Sequence, residues 1–195
     1  MTTNAPKTTR CLHRPTDTST FSLQECMATD DMKLNKQTIL KLDLHELEET
    51  TGEIHRRIAV ELRTLGEQGA DQPDTSGMTA RREVAKLAAS LELAALTLAA
   101  YRIGTLITSE RIDHHPAIVD SLMYAAPTLP ALLQRIEQDR RLLTSLARDV
   151  SEHLDNEFTT PWGKSSVRGL LIEAGLEASV RCVIALQNHS LHFET

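Results

Sequence analysis

Apolar residues recur along most of this chain at alternating spacings of four and three, the period of one face of an α-helix. Leu40, Leu44, Leu47, Ile54, Ile58, Leu62 and Leu65 mark a first long helix over about 36–68. Thr51 and Gly52 interrupt it, and glycine there costs about 1 kcal/mol relative to alanine. Residues 66–77, with Gly69, Pro73 and Asp74, read as a loop. Thr79 then caps a second helix expected to run to Ser109 through Val84, Leu87, Leu91, Leu98 and Leu106. It is apolar nearly all round, as the most buried member of a bundle must be.

A short helix follows Pro116 and stops before Pro127. Thr128 and Pro130 open a third long helix, expected to reach Phe158 through Leu133, Ile136, Leu143, Ala147, Val150 and Leu154. Thr160 to Gly163 reads as a turn. A last helix over 164–191 sets Glu173, Glu177 and Arg181 opposite Leu170, Leu171, Ala174 and Ala178, and Glu177 and Arg181 are a favourable four-residue pair. No segment alternates as a strand does. The fold class is therefore all-α, an antiparallel bundle of four long helices plus one short one over 36–195.

Residues 1–35 are rich in Thr, Ser and Pro without any period and read as a disordered tail, with Met27 and Met32 as further possible starts. The aromatic content of 3% leaves Leu, Ala, Ile and Val to fill the core, a choice that suits helices. A net charge of -6 argues against an electrostatic grip on nucleic acid, so no DNA partner is expected, although a local basic pocket stays open. Cys11, Cys26 and Cys182 make an odd count that suits a reducing cytoplasm. The N-terminus develops no apolar core of a secretory signal. The apolar run 87–107 is broken by Glu92 and Arg102 and reads as a buried helix, not a membrane span.

Candidate chemistry is sparse. His45 with Glu49 and His153 with Glu157 each share a helix face by spacing, as ligands of a carboxylate-bridged iron site would. A hemerythrin-like site needs further inward histidines and a His-x-x-x-His pair, whereas His189 and His192 are three apart. Cys11, His13 and Cys26 lack a fourth zinc ligand. With no glycine-rich phosphate loop either, neither metal nor cofactor is expected. His114 and His115, beside Pro116, read as exposed or capping residues, and Trp162 as a packing anchor.

The run Ala147-Arg148-Asp149-Val150-Ser151-Glu152-His153-Leu154-Asp155 remains. Arg148 and His153 enclose four residues near a helix end, and this resembles the HEPN superfamily, marked by Arg, a polar residue, then His after four to six residues. The resemblance implies a homodimer whose paired motifs cleave RNA without a metal, or a relative that has lost activity and regulates by binding. It also implies His153 as the proton-transfer group, Arg148 as the phosphate clamp and Asp149 as the polar second position. A purely structural reading stands beside it: Arg148 paired to Glu152 on the solvent face, and His153 packed at the edge of the core. On that reading the chain is a non-enzymatic interaction protein that self-associates or takes up a partner helix.

Overall fold

The computed structural model describes residues 36–105, 107 and 110–191. The tail 1–35 with Cys11, His13 and Cys26, as well as Leu106 and His192, lies outside the described residues. The elements are α1 (Lys36–Ile39), α2 (Leu44–Ala70), α3 (Ala80–Arg102), α4 (Pro116–Ala125) and α5 (Leu129–Asp149). There follow a 3₁₀ turn (Ser151–His153), strands β1 (Glu157–Thr160) and β2 (Gly163–Ser166), α6 (Val167–Leu170), a π-helical segment (Leu171–Glu177) and α7 (Ala178–Leu191). The fold is all-α apart from this small hairpin.

Capping chemistry sets most helix starts. Thr79 and Thr128 accept from the backbone N–H groups of Arg82 and Ala131, as their positions predicted. His115 Nδ1 caps α4 by accepting from the Ala117 N–H, the capping role expected of this loop. One cap changes the expected first helix. Asp43 and Glu46 form a reciprocal capping box at 2.8 Å each, so a new helix begins at Leu44 rather than continuing from Lys36. Thr51 and Gly52 do not interrupt it. The helix instead bends at Gly66 (φ 67°) and carries on to Ala70, through the expected loop.

Cross-helix contacts give the direction of each helix. His55 meets Ser179 and Glu61 meets Gln187, so α2 and α7 run the same way. Glu92 meets Arg135 and Arg102 meets Asp149, so α3 and α5 also run together. Glu48 reaches Arg148 while Glu67 reaches the Leu129 N–H, so α2 and α5 are antiparallel. Around the bundle the order is α2, α7, α3, α5, and the consecutive helices α2 and α3 sit diagonally. The 103–128 connection, with α4 packed on α3, returns the chain to the start of α5. Ile58, Leu62, Leu91, Leu98, Leu132, Ile136, Leu176 and Leu186 are completely or almost completely buried at the centre. Helix α3 is apolar and long enough to cross a membrane, but two-thirds of its apolar window is buried in the bundle, as a core helix requires.

Three helix ends differ from expectation. Helix α3 stops at Arg102, where Gly104 takes a left-handed φ of 73°. Helix α5 stops at Asp149 instead of reaching Phe158, because Val150 leaves the helical region (φ -116°, ψ 23°). Phe158 is buried from a strand, and Thr159 and Thr160 before Pro161 favour extended backbone. Thr160 Oγ1 accepts from the Trp162 N–H and donates to the Gly163 carbonyl, tightening the turn of a four-residue antiparallel ladder. The last helix therefore begins at Val167, three residues later than expected, capped by Ser166.

Candidate functional site

The segment Arg148 to Glu157 lies at one pole of the bundle, where α5 ends and the hairpin begins. Arg148 sits on the last turn of α5, exposed, with its guanidinium paired to Glu48 of α2. The expected partner Glu152 is not used, because the helix ends before a four-residue pair can form. Asp149 pairs with Arg102 at the end of α3 at 2.9 Å. His153 closes the 3₁₀ turn, exposed to solvent, with Nδ1 3.3 Å from the Asn156 side-chain amide. It is not packed at the core edge.

His153 and Glu157 no longer share a helix face, since one is on the turn and the other in β1, paired to Lys164 at 2.5 Å. His45 and Glu49 form an exposed pair at 3.6 Å. No group of three or more metal-ligand side chains converges among the described residues.

The pole is acidic. A shallow depression of about 430 Å³ beside it is lined in part by Asp43, Asp155, Glu157, Lys41 and Arg168. Arg168 Nε bonds to Asp155 at 2.8 Å and its other arm to the Leu42 carbonyl, which ties α6 to the link between α1 and α2 and to the segment before β1. Below it Tyr101 stacks on Phe158, with ring centroids 4.3 Å apart. Glu48 and Arg102, which pair with Arg148 and Asp149, lie 100 and 47 residues from them in sequence, and Arg168 lies 13 from Asp155, so none carries a local spacing signal.

Asp149 also ends a second feature. On α3, Glu92 and Leu96 are four residues apart and share a face, and Ile103 follows at the helix's C-cap; on α5, Arg135, Leu142 and Asp149 share a stripe by sevens. The Glu92–Arg135 pair (2.6 Å) and the Arg102–Asp149 pair (2.9 Å) set the two stripes side by side. Leu96, Ile103 and Leu142 on them are 61%, 76% and 53% exposed. In the same groove Asp139 is buried beside Glu92, with Arg135 Nε 3.3 Å away. Burial and then Glu92 push its pKa up to about 6 against the pull of Arg135.

A third polar site lies inside the bundle. Ser179 Oγ donates to the Gly175 carbonyl at 2.6 Å, so it accepts from His55 Nε2–H at 2.8 Å. His55 Nδ1 is then a bare acceptor, buried without a partner. Burial, helped by Arg140, pushes the His55 pKa down to about 4, although Glu137 opposes it. Gly175 belongs to the π segment, whose extra residue per turn is a recurrent mark of functional positions in helices. Compared with known proteins, the chain matches no family model, no curated protein and no solved structure.

Proposed function

We propose that this chain is a HEPN-like helical module of the cytoplasm that works by self-association, with the outer groove of α3 and α5 as its homodimer face. The observation that carries this is the exposed Leu96 and Leu142 between two interhelical ion pairs, with exposed Ile103 just past the second. Exposed apolar side chains aligned on two neighbouring helices and framed by charge have the anatomy of an interface, with an apolar centre and a polar rim. A second copy is the natural occupant, since a two-fold axis would set the Glu92–Arg135 end of one stripe against the Arg102–Asp149 end of the other. Asp149 ends the stripe, while Arg148 next to it turns to Glu48 of α2; this nearness in sequence supports the reading by resemblance to a family in which the motif works at a dimer interface.

Association suits the pole better than RNA cleavage does. The Arg148 charge is met by Glu48, and Glu152, Asp155 and Glu157 surround His153 in sequence, a setting that repels a phosphate backbone. The ribonuclease reading keeps one favourable observation: Arg148 and His153 are both open to solvent.

Sedimentation equilibrium of the full chain beside Leu96→Glu/Leu142→Glu tests the first reading. A concentration-dependent dimer that the double variant loses is the expected result; a wild-type monomer at all concentrations refutes it. Incubation with structured RNA in EDTA, beside His153→Ala, tests the second. Neither protein should cleave, and cleavage by the wild type alone would reinstate catalysis.

A further inference from the structure

On the opposite side of α3 from that groove, residues 83, 86, 87 and 90 face α7 across a cleft of about 260 Å³. We infer that this cleft is a binding site for a small organic monocarboxylate. At about 30 Å³ per water-sized group it has room for roughly nine heavy atoms. The inference is independent of self-association, because the two faces of α3 point in opposite directions.

The floor is apolar: Leu87, Ala178 and Cys182, whose thiol burial keeps protonated. One polar residue lines it as well. Ser90 is 2% exposed and its hydroxyl has no hydrogen-bond partner, although Thr97, Thr144 and Ser179 in comparable helical positions all donate to the carbonyl four residues back. A buried hydroxyl left without a bond is costly, and turning it toward the cleft that Ser90 lines would let a ligand oxygen supply the missing partner.

The rim carries the charge. Lys86 and Arg181 flank the cleft on its two helices, and His114 reaches it from the loop before α4. His114 is set by its neighbours: Arg111 donates to Asp113 at 2.7 Å and to His114 Nε2 at 2.8 Å, so the His114 proton belongs on Nδ1. Desolvation, opposed by Asp113 but reinforced by Arg111, Lys86 and Arg181, keeps that imidazole neutral at pH 7. The rim thus offers an ammonium, a guanidinium and a neutral imidazole.

Glu83 sits 3.0 Å from Lys86, and Glu177 3.6 Å from Arg181. These two carboxylates equal the two cations in formal charge, so the rim disfavours a phosphate dianion and holds a monoanion by its hydrogen-bond donors. Arg181 is more than half exposed and can turn to a carboxylate in the bidentate geometry guanidinium favours. The apolar floor receives the rest of the molecule.

The chain's single tryptophan supplies the readout. Arg111, which holds Asp113 and His114, lies 5.4 Å over the Trp162 ring. Benzoate, benzamide and inorganic phosphate are titrated into the full chain while Trp162 emission is followed, with Arg181→Gln and Ser90→Ala as variants and helical circular dichroism as the check on folding. Both changes leave the core intact, because Arg181 is at the surface and Ser90→Ala removes one atom. Benzoate should saturate the change, Arg181→Gln should weaken it about tenfold, and Ser90→Ala about threefold to fivefold. Benzamide and phosphate should bind much more weakly. Equal binding of benzamide, tighter binding of phosphate, wild-type affinity in both variants, or no saturable change with benzoate would each overturn the assignment.

Discussion

Two buried titrating groups, His55 and Asp139, should pull the stability of this protein in opposite directions across the same pH range. His55 falls from its ordinary 6.5 to about 4 in the fold. Between those values the unfolded chain binds a proton that the native state refuses, so stability is full above 6.5 and is lost as pH drops. From pH 7 to pH 5 that loss is about 2 kcal/mol. Asp139 rises from 3.8 to about 6, so the native state binds the proton first and gains stability as pH falls through 6. Its gain over the same interval is about 1 kcal/mol, taken at the low end because the groove mouth admits solvent screening.

The wild type should therefore show a shallow decline that hides a steeper loss and an opposing gain. Urea denaturation at pH 7 and pH 5 on the wild type, His55→Gln and Asp139→Asn separates them. Relative to the wild type, Asp139→Asn should lose about 1 kcal/mol more on acidification, and His55→Gln about 2 kcal/mol less. Other carboxylates titrate in all three proteins and cancel in the differences. Parallel profiles for the three proteins would refute the reasoning, since they would mean that neither group titrates differently in the fold.

Three further outcomes follow from single contacts. Arg81, almost buried, bonds to Asp71, Glu67 and the Pro127 carbonyl, and Arg81→Met should cost about 2 kcal/mol in chemical denaturation. Because Arg81 holds the pKa values of Glu67 and Asp71 below the usual range, its contribution is present at neutral pH and fades as pH falls through those values, so the variant's acid limb should be flatter. Gly163 has φ 109°, and Gly163→Ala should destabilise by about 1–2 kcal/mol, seen as a lower melting temperature with a changed Trp162 signal. The buried Cys182 thiol has its pKa pushed far up, so a Cys11→Ser/Cys26→Ser chain should react with a thiol reagent at pH 8 only when unfolded; fast native reaction would contradict the burial.

Much of the bundle could be read locally because its signals are local. The four-residue spacing of Ile54, Ile58 and Leu62, the caps at Thr79 and Thr128, and the pair Glu177–Arg181 at 3.6 Å all act within about one turn of chain. The hairpin was masked by coincidence: Val150, Leu154 and Phe158 keep a helical spacing across a break that Val150's own backbone makes. The Asp43–Glu46 capping box is a local signal too, set within the unbroken apolar spacing of Leu40, Leu44 and Leu47. The candidate site was legible only as residue types. That Arg148 meets Glu48, that Asp149 meets Arg102, or that His55 lies against a π segment depends on which helices are neighbours, and no spacing along one helix encodes that.

That choice of neighbours also bears on how the chain reaches its fold. In a simple up-and-down bundle, consecutive helices zip together as hairpins across short loops. Here α2 finds its partners 100 to 126 residues away, through Arg148, Ser179 and Gln187. The entropy of closing such loops must be overcome before any of these contacts contributes, so folding should be slower than helix content alone suggests. Until α7 arrives, α2 has one apolar side without a cover. A chain emerging from synthesis would leave the side of α2 that carries His55 and Glu61 open until α7 is made.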